Sequence, residues 1–136
     1  MDKFSKKDLA YFRLEQARGC LKASEILMSA GQYKDAANRS YYCIFHTMRA
    51  VLALDGYDSK KHSGIISEFR VRYIKTKKFD AVYSDMIKDA FAIRTDSDYE
   101  DFYVLSMNDV RLQIDNAKEF LEAVQSYIGA TLEGQE

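Results

Sequence analysis

Ser106-Met107-Asn108-Asp109-Val110-Arg111-Leu112-Gln113-Ile114-Asp115-Asn116-Ala117-Lys118-Glu119-Phe120-Leu121-Glu122-Ala123-Val124-Gln125-Ser126-Tyr127-Ile128 is the stretch that decides the fold class of this 136-residue chain. Its apolar positions Val110, Ile114, Ala117, Leu121, Val124 and Ile128 advance by 4, 3, 4, 3 and 4 residues. An α-helix, at about 3.6 residues per turn, sets such positions on one face; a strand does not. Ser106, with Asp109 three residues on, predicts the N-terminal cap. The tail beyond Gly129 is expected to be loose.

The same period recurs toward the N-terminus. Val82, Met86, Ala90 and Ile93 predict a helix from about Asp80 to Thr95, followed by a loop from Asp96 to Leu105 rich in acids and aromatics. Ile65, Ile66, Phe69 and Tyr73 predict a shorter helix, with a turn at Lys75–Lys78 behind it and a polar loop at Gly56–His62 before it. From Tyr33 to Leu54 the stripe is Ala37, Tyr41, Ile44, Met48 and Leu52. Tyr42, Phe45 and Val51 widen it, which predicts a central helix buried on more than one side. Ala10, Leu14, Ala17, Leu21 and Met28 predict the first helix, Ser5 to Ser29, capped by Ser5 with Asp8 and ended at Gly31. The chain has no proline to break these runs, and no alternating strand pattern competes with them. The expectation is an all-α fold, an antiparallel helical bundle of four long helices plus one short helix. It forms a single domain over residues 1–130 with a flexible tail at 131–136.

Hydrophobic residues make up 47% and charged residues 30%, the balance of a chain that folds around one core. The net charge of −1 advertises no polyanion partner for the molecule as a whole, but its distribution is uneven. Lys60 to Lys78 holds Lys60, Lys61, Arg70, Arg72, Lys75, Lys77 and Lys78 against Glu68; Asp80 to Asp101 holds seven acids against Lys88 and Arg94. The basic stretch fits either a solvated surface or a patch for phosphate or RNA. Cys20 and Cys43 fall inside helical patterns without metal-ligand spacing and read as reduced core thiols. The N-terminal residues have no apolar run behind them, so no signal peptide is expected, and no segment is apolar enough to span a membrane. A cytoplasmic location follows as an expectation.

Polar residues on the helices carry whatever chemistry the chain has, because charge on an apolar surface is costly unless paired or used. Arg39 and His46 are seven apart and share a face of the second helix. They either line a cleft that binds an anion or a base, or Arg39 pairs with a carboxylate on another helix while His46 is a hydrogen-bonded, half-buried residue. Arg94, Asp98 and Tyr99 form either a helix-end ion pair with a packed tyrosine or a phosphate clamp, since a planar guanidinium suits phosphate oxygens. His62 opens the short helix after Lys60 and Lys61, as a surface histidine or against an anion. Two histidines without a nearby Cys or Glu predict no metal site, and no cofactor motif is present.

Three of these segments together resemble the HEPN superfamily, in particular its small stand-alone branch, the UPF0332 family. They are Ala37-Asn38-Arg39-Ser40-Tyr41-Tyr42-Cys43-Ile44-Phe45-His46, Lys61-His62-Ser63-Gly64-Ile65-Ile66-Ser67-Glu68-Phe69, and Arg94-Thr95-Asp96-Ser97-Asp98-Tyr99. The resemblance spans about residues 5 to 128. It implies a bundle that forms a homodimer, with a polar cleft near the dimer interface. It also implies a function among metal-independent ribonucleases, often toxins encoded beside a minimal nucleotidyltransferase antitoxin. The family's signature is Arg, four to six residues, then His. Arg94 falls on the signature Arg, Thr95 takes the polar place after it, and Tyr99 stands where the His would be.

That departure has a chemical consequence. Histidine titrates near neutrality and can take a proton from a ribose 2′-hydroxyl, whereas a tyrosine with a pKa near ~10 is a poor base at pH 7. Arg39 and His46 match the spacing, but on an earlier helix than the signature occupies. The leading expectation is therefore a HEPN domain that binds a nucleotide, RNA or a nucleotidyltransferase partner through Arg39, Tyr42, His46, His62, Arg94, Asp98 and Tyr99, with a degenerate ribonuclease motif. The alternatives are an active endoribonuclease using Arg94 with His46 or His62, and a purely structural dimeric interaction protein.

Overall fold

A computed structural model describes residues 5–99 and 104–134; the side chain of Tyr99 lies outside the described part. The described residues form α1 (Lys6–Ser29), α2 (Tyr33–Ala53), α3 (His62–Phe69), a π-helical turn (Arg70–Ile74), α4 (Val82–Tyr99) and α5 (Met107–Glu133). None of them is in a strand. The architecture is all-α, a bundle of four long helices and one short one.

The predicted first cap is present in full. Ser5 Oγ accepts from the Asp8 N–H, and Asp8 accepts from the Ser5 N–H, so two orphan donors of the first turn are satisfied. α1 ends at Gly31, where φ is +77°. Gly31 N–H bonds to the Met28 carbonyl at 3.0 Å and Gln32 N–H to the Leu27 carbonyl at 2.9 Å, which turns the chain back within three residues and lays α2 antiparallel along α1. Ser24 Oγ donates to the Ala36 carbonyl at 2.6 Å and ties the two helices beside the turn.

α2 is the central helix, with more than half of its 21 residues buried. α1, α5, α4 and α3 all pack against it. Tyr41, Ile44, Met48, Val51 and Leu52 meet Leu14 of α1, Ile65 and Phe69 of α3, and Val110, Phe120, Val124 and Ile128 of α5 in one core. Burying that apolar area is the main driving force for the fold.

Three boundaries differ from the sequence expectation. α4 does not stop at Thr95 but continues through Asp96, Ser97 and Asp98 to Tyr99. Ser97 is buried, and Arg94 and Asp98 lie one turn apart at 3.8 Å, so packing and an i,i+4 ion pair hold a stretch of weak helix formers in the helix. The rest of the expected loop includes residues 100–103, which lie outside the described part. The third helix changes to π geometry at Arg70, with Lys75 N–H reaching back five residues to the Arg70 carbonyl at 2.9 Å. α5 runs past Gly129 to Glu133, because Leu132 still packs on the core. Val82, expected on the buried stripe of α4, is exposed, and Ile87 takes that place.

Candidate functional site

α2 sets Tyr41, Tyr42, Phe45 and His46 within little more than one turn, which is the densest aromatic run of the chain. Tyr41 is fully buried, while Tyr42 and His46 keep partial exposure. α3 begins beside them. The His62 ring stacks on Phe45 with centroids 4.1 Å apart, and its Nδ1 shares a hydrogen bond of 2.8 Å with the Tyr41 hydroxyl. The first turn of α3 can come this close to the preceding loop because residue 64 is glycine. A Cβ there would stand 2.6 Å from Ser59 Oγ.

α4 delivers Arg94 to the same place. Its Nη2 donates to the Tyr42 hydroxyl at 3.3 Å, and its guanidinium lies 5.3 Å from the Tyr41 ring centre and 5.6 Å from that of Tyr42. Arg39 covers Tyr42 as well, at 4.9 Å, so two guanidinium groups flank one phenol. A carboxylate partner for Arg39 on another helix is absent among the described ion pairs. Asp98 sits near Arg94 Nε at 3.8 Å, too far for a hydrogen bond, and is itself exposed. Asp98 therefore leaves the positive character of the site only partly offset. Tyr99 closes α4, but its side chain is outside the described part.

Polar atoms are left over here. Asn38 Oδ1, His46 Nδ1, Arg94 Nε and Ser97 Oγ are buried and have no hydrogen-bond partner among the described residues. All four lie on α2 or α4, and among the described residues Gln113 Nε2 is the other such atom. Such groups carry a desolvation cost until a partner meets them.

Electrostatics keep both imidazoles neutral at pH 7. Burial, then Arg49, Arg39, Arg13 and His62, pull the pKa of His46 down to about 4. Burial, then Arg94 and Arg49, lower that of His62. Burial raises the Tyr41 phenol to about 12 against the pull of Arg94, so it too is neutral. The site thus presents fixed guanidinium charge on a platform of uncharged rings, which suits an anion attached to a planar group.

Sequence reasoning misses Tyr41 and Phe91 as members of this group. The periodicity marks Tyr41 only as core, yet its hydroxyl meets His62 across 21 residues of chain. Phe91 stands against Tyr41 with centroids 6.0 Å apart. A second polar cluster also escapes the sequence patterns. Arg13, nearly buried, donates to the Arg49 carbonyl at 3.1 Å and to Asp58 at 3.2 Å, and Asp58 also pairs with Arg49 at 3.1 Å. With two guanidinium groups on one carboxylate, that cluster fastens α1 to the α2–α3 loop.

The fold and the site together define a class: a small all-α domain with an arginine laid over tyrosines between its second and fourth helices. The HEPN domain family model matches residues 10–127, and the chain belongs to the HEPN family. It is 30% identical over 122 residues to a UPF0332 protein of Thermotoga maritima, covering 90% of this chain and 92% of the relative. It is 29% identical over 115 residues to "Putative toxin MJ0142" of Methanocaldococcus jannaschii, covering 85% of this chain and 78% of the relative. A second protein of that organism, "Putative toxin MJ0605", is 33% identical over 86 residues, covering 63% of this chain and 64% of the relative. No described helix is long and apolar enough to cross a membrane.

Proposed function

We propose that this HEPN domain binds single-stranded RNA on the surface formed by Arg39, Tyr42, His46, His62, Arg94 and Asp98, within a toxin–antitoxin-like or defence system of the cytoplasm. The observation that carries this is the partly exposed Arg94 guanidinium, held over Tyr41 and Tyr42, with Arg39 on the same Tyr42 ring. A phosphate oxygen would meet the partly exposed Arg94 guanidinium, and the half-exposed rings of Tyr42 and His62 offer faces for a base. Cleavage is weak in this reading, since Tyr99 holds the place of the family's histidine. The functional unit is a homodimer, and a nucleotidyltransferase antitoxin is the partner that the family resemblance implies.

The test is fluorescence anisotropy with a labelled single-stranded RNA, alongside a gel assay for its cleavage. Arg94→Ala should weaken binding about 10- to 100-fold, the range for removing a charge-assisted hydrogen bond. It should also flatten the salt dependence, whose slope falls by ~0.7 for each phosphate of a single strand that the protein ceases to neutralise. Unchanged affinity in Arg94→Ala would remove the proposal.

An active endoribonuclease is the alternative, favoured by one contact: His62 reaches Tyr41, whose ring lies under Arg94. A neutral imidazole there can accept a proton. Multiple-turnover cleavage abolished by both Arg94→Ala and His62→Ala would select it.

A further inference from the structure

A groove of about 420 Å³ runs between α3, the π-helical turn and α4. Its floor is apolar, with Ile66, Ile87 and the half-exposed ring of Phe91. Its rim carries Arg70, Lys75 and Lys88, with the hydroxyls of Ser63 and Ser67, and no acidic side chain lines it among the described residues. None of the three cations appears in an ion pair among the described residues. Arg70 is held by neutral acceptors instead, its Nε donating to Ser84 Oγ at 2.9 Å and its Nη2 to the Ser84 carbonyl at 3.4 Å. Three cations converging on one groove in a chain of net charge −1 is a local excess with no internal counterpart among the described residues.

The groove adjoins the Arg94 site. Ser63 follows His62 directly, Phe91 precedes Arg94 by one helical turn, and Phe91 touches Tyr41. The π geometry belongs to the same place, because the widened turn spans Arg70 to Ile74 and Lys75 N–H bonds to the Arg70 carbonyl. Both cations flanking that turn line the groove. π-helical insertions are frequent at functional sites.

We infer that this groove is a second RNA subsite: the strand that engages Arg94 continues across Phe91, on which a base stacks, and its following phosphates lie against Arg70, Lys75 and Lys88. The inference rests on the RNA reading of the Arg94 site and extends the track by the length of the groove. Apolar floor and cationic rim match a strand that alternates base and phosphate. Affinity then depends on oligonucleotide length, since a fragment that fills the Arg94 site alone leaves the groove empty.

The experiment compares a trinucleotide with a decanucleotide of single-stranded RNA on the full chain. Lys75 and Lys88 are both exposed, so the double variant Lys75→Glu/Lys88→Glu keeps the fold, which circular dichroism checks. It should weaken the decanucleotide about tenfold or more and lower its salt slope by ~1.4, the equivalent of two single-strand phosphates, while leaving the trinucleotide unchanged. Phe91→Ala, which also loosens Tyr41 beneath Arg94, should weaken both lengths, the decanucleotide more. Arg94→Ala should weaken both lengths. If Arg94→Ala acts but the groove variants bind the decanucleotide like the parent, the groove is not a subsite and the Arg94 reading stands. If the groove variants instead change the sedimentation of the protein alone and not RNA affinity, the groove seats a second copy of the chain and the inference is overturned. If neither length binds the parent chain, both readings fall together.

Discussion

Two aromatic clusters flank α2, built from the same residue types, and they treat their polar atoms in opposite ways. In one, Phe69, Tyr73, Phe79, Phe120 and Tyr127 are stacked or edge-on, and Phe69, Tyr73 and Phe120 are essentially buried. Its Tyr73 hydroxyl reaches Asp55 at 2.7 Å and the Val51 carbonyl at 3.3 Å, and Asp55 is met again by Arg72 at 3.7 Å. In the other, Tyr41, Tyr42, Phe45 and His62 surround Arg94, and polar atoms on α2 and α4 remain unpaired among the described residues. A cluster that only holds helices together satisfies itself; one that waits for a ligand does not.

The comparison breaks most visibly under truncation. Phe120→Ala should cost about 3–5 kcal/mol of folding stability, the usual range for emptying a packed aromatic site, read from urea midpoints. Arg94→Ala should cost the fold about 1 kcal/mol or less, the worth of its cation–π contacts, while RNA affinity falls 10- to 100-fold. Finding the large stability loss at Arg94 instead would make the second cluster structural.

Removing a single hydroxyl gives a finer contrast. Tyr73→Phe should lower stability by about 1 kcal/mol by removing its hydrogen bond to Asp55, whereas Tyr42→Phe should leave stability within about 0.5 kcal/mol. Gly31→Ala should cost about 1 kcal/mol, since alanine meets strain at φ +77°. This value calibrates the scale away from both clusters.

A further contrast comes from pH. The His46 pKa is lower in the folded protein than its ordinary value of 6.5, so below that value the unfolded chain binds the proton more readily. Stability should therefore fall as pH drops from about 6.5 toward 4. Solvent screening at a half-exposed ring reduces the amplitude. His46→Gln should flatten this part of the profile, and an unchanged profile would place the titrating group elsewhere.

Much of the fold is legible in the sequence because it is written in local periodicity. The stripe from Val110 to Ile128, the Ser5–Asp8 cap and the stop at Gly31 all rest on residues within a few turns of one another. The end of α4 is not legible: Asp96, Ser97 and Asp98 favour loops by propensity, and only the burial of Ser97 and the reach of Asp98 toward Arg94 keep them helical. The π-helical turn leaves no periodic trace in Arg70–Ile74. The site is harder still. Arg94 and Tyr42 are 52 residues apart, and Arg13 meets Asp58 across 45. Spacing cannot report such contacts. Family resemblance brings Arg94 and Tyr42 into one site, whereas Arg13 has no such pattern around it and reads as an ordinary helix residue.

The central claim is that Arg94 and the tyrosines of α2 act together on RNA rather than on the fold. A double-mutant cycle of Arg94→Ala and Tyr42→Phe, run once on RNA affinity and once on urea unfolding, tests it most directly. A coupling of about 1 kcal/mol in binding, about fivefold, and close to none in stability is expected. Coupling confined to unfolding, with RNA affinity indifferent to both substitutions, would contradict it.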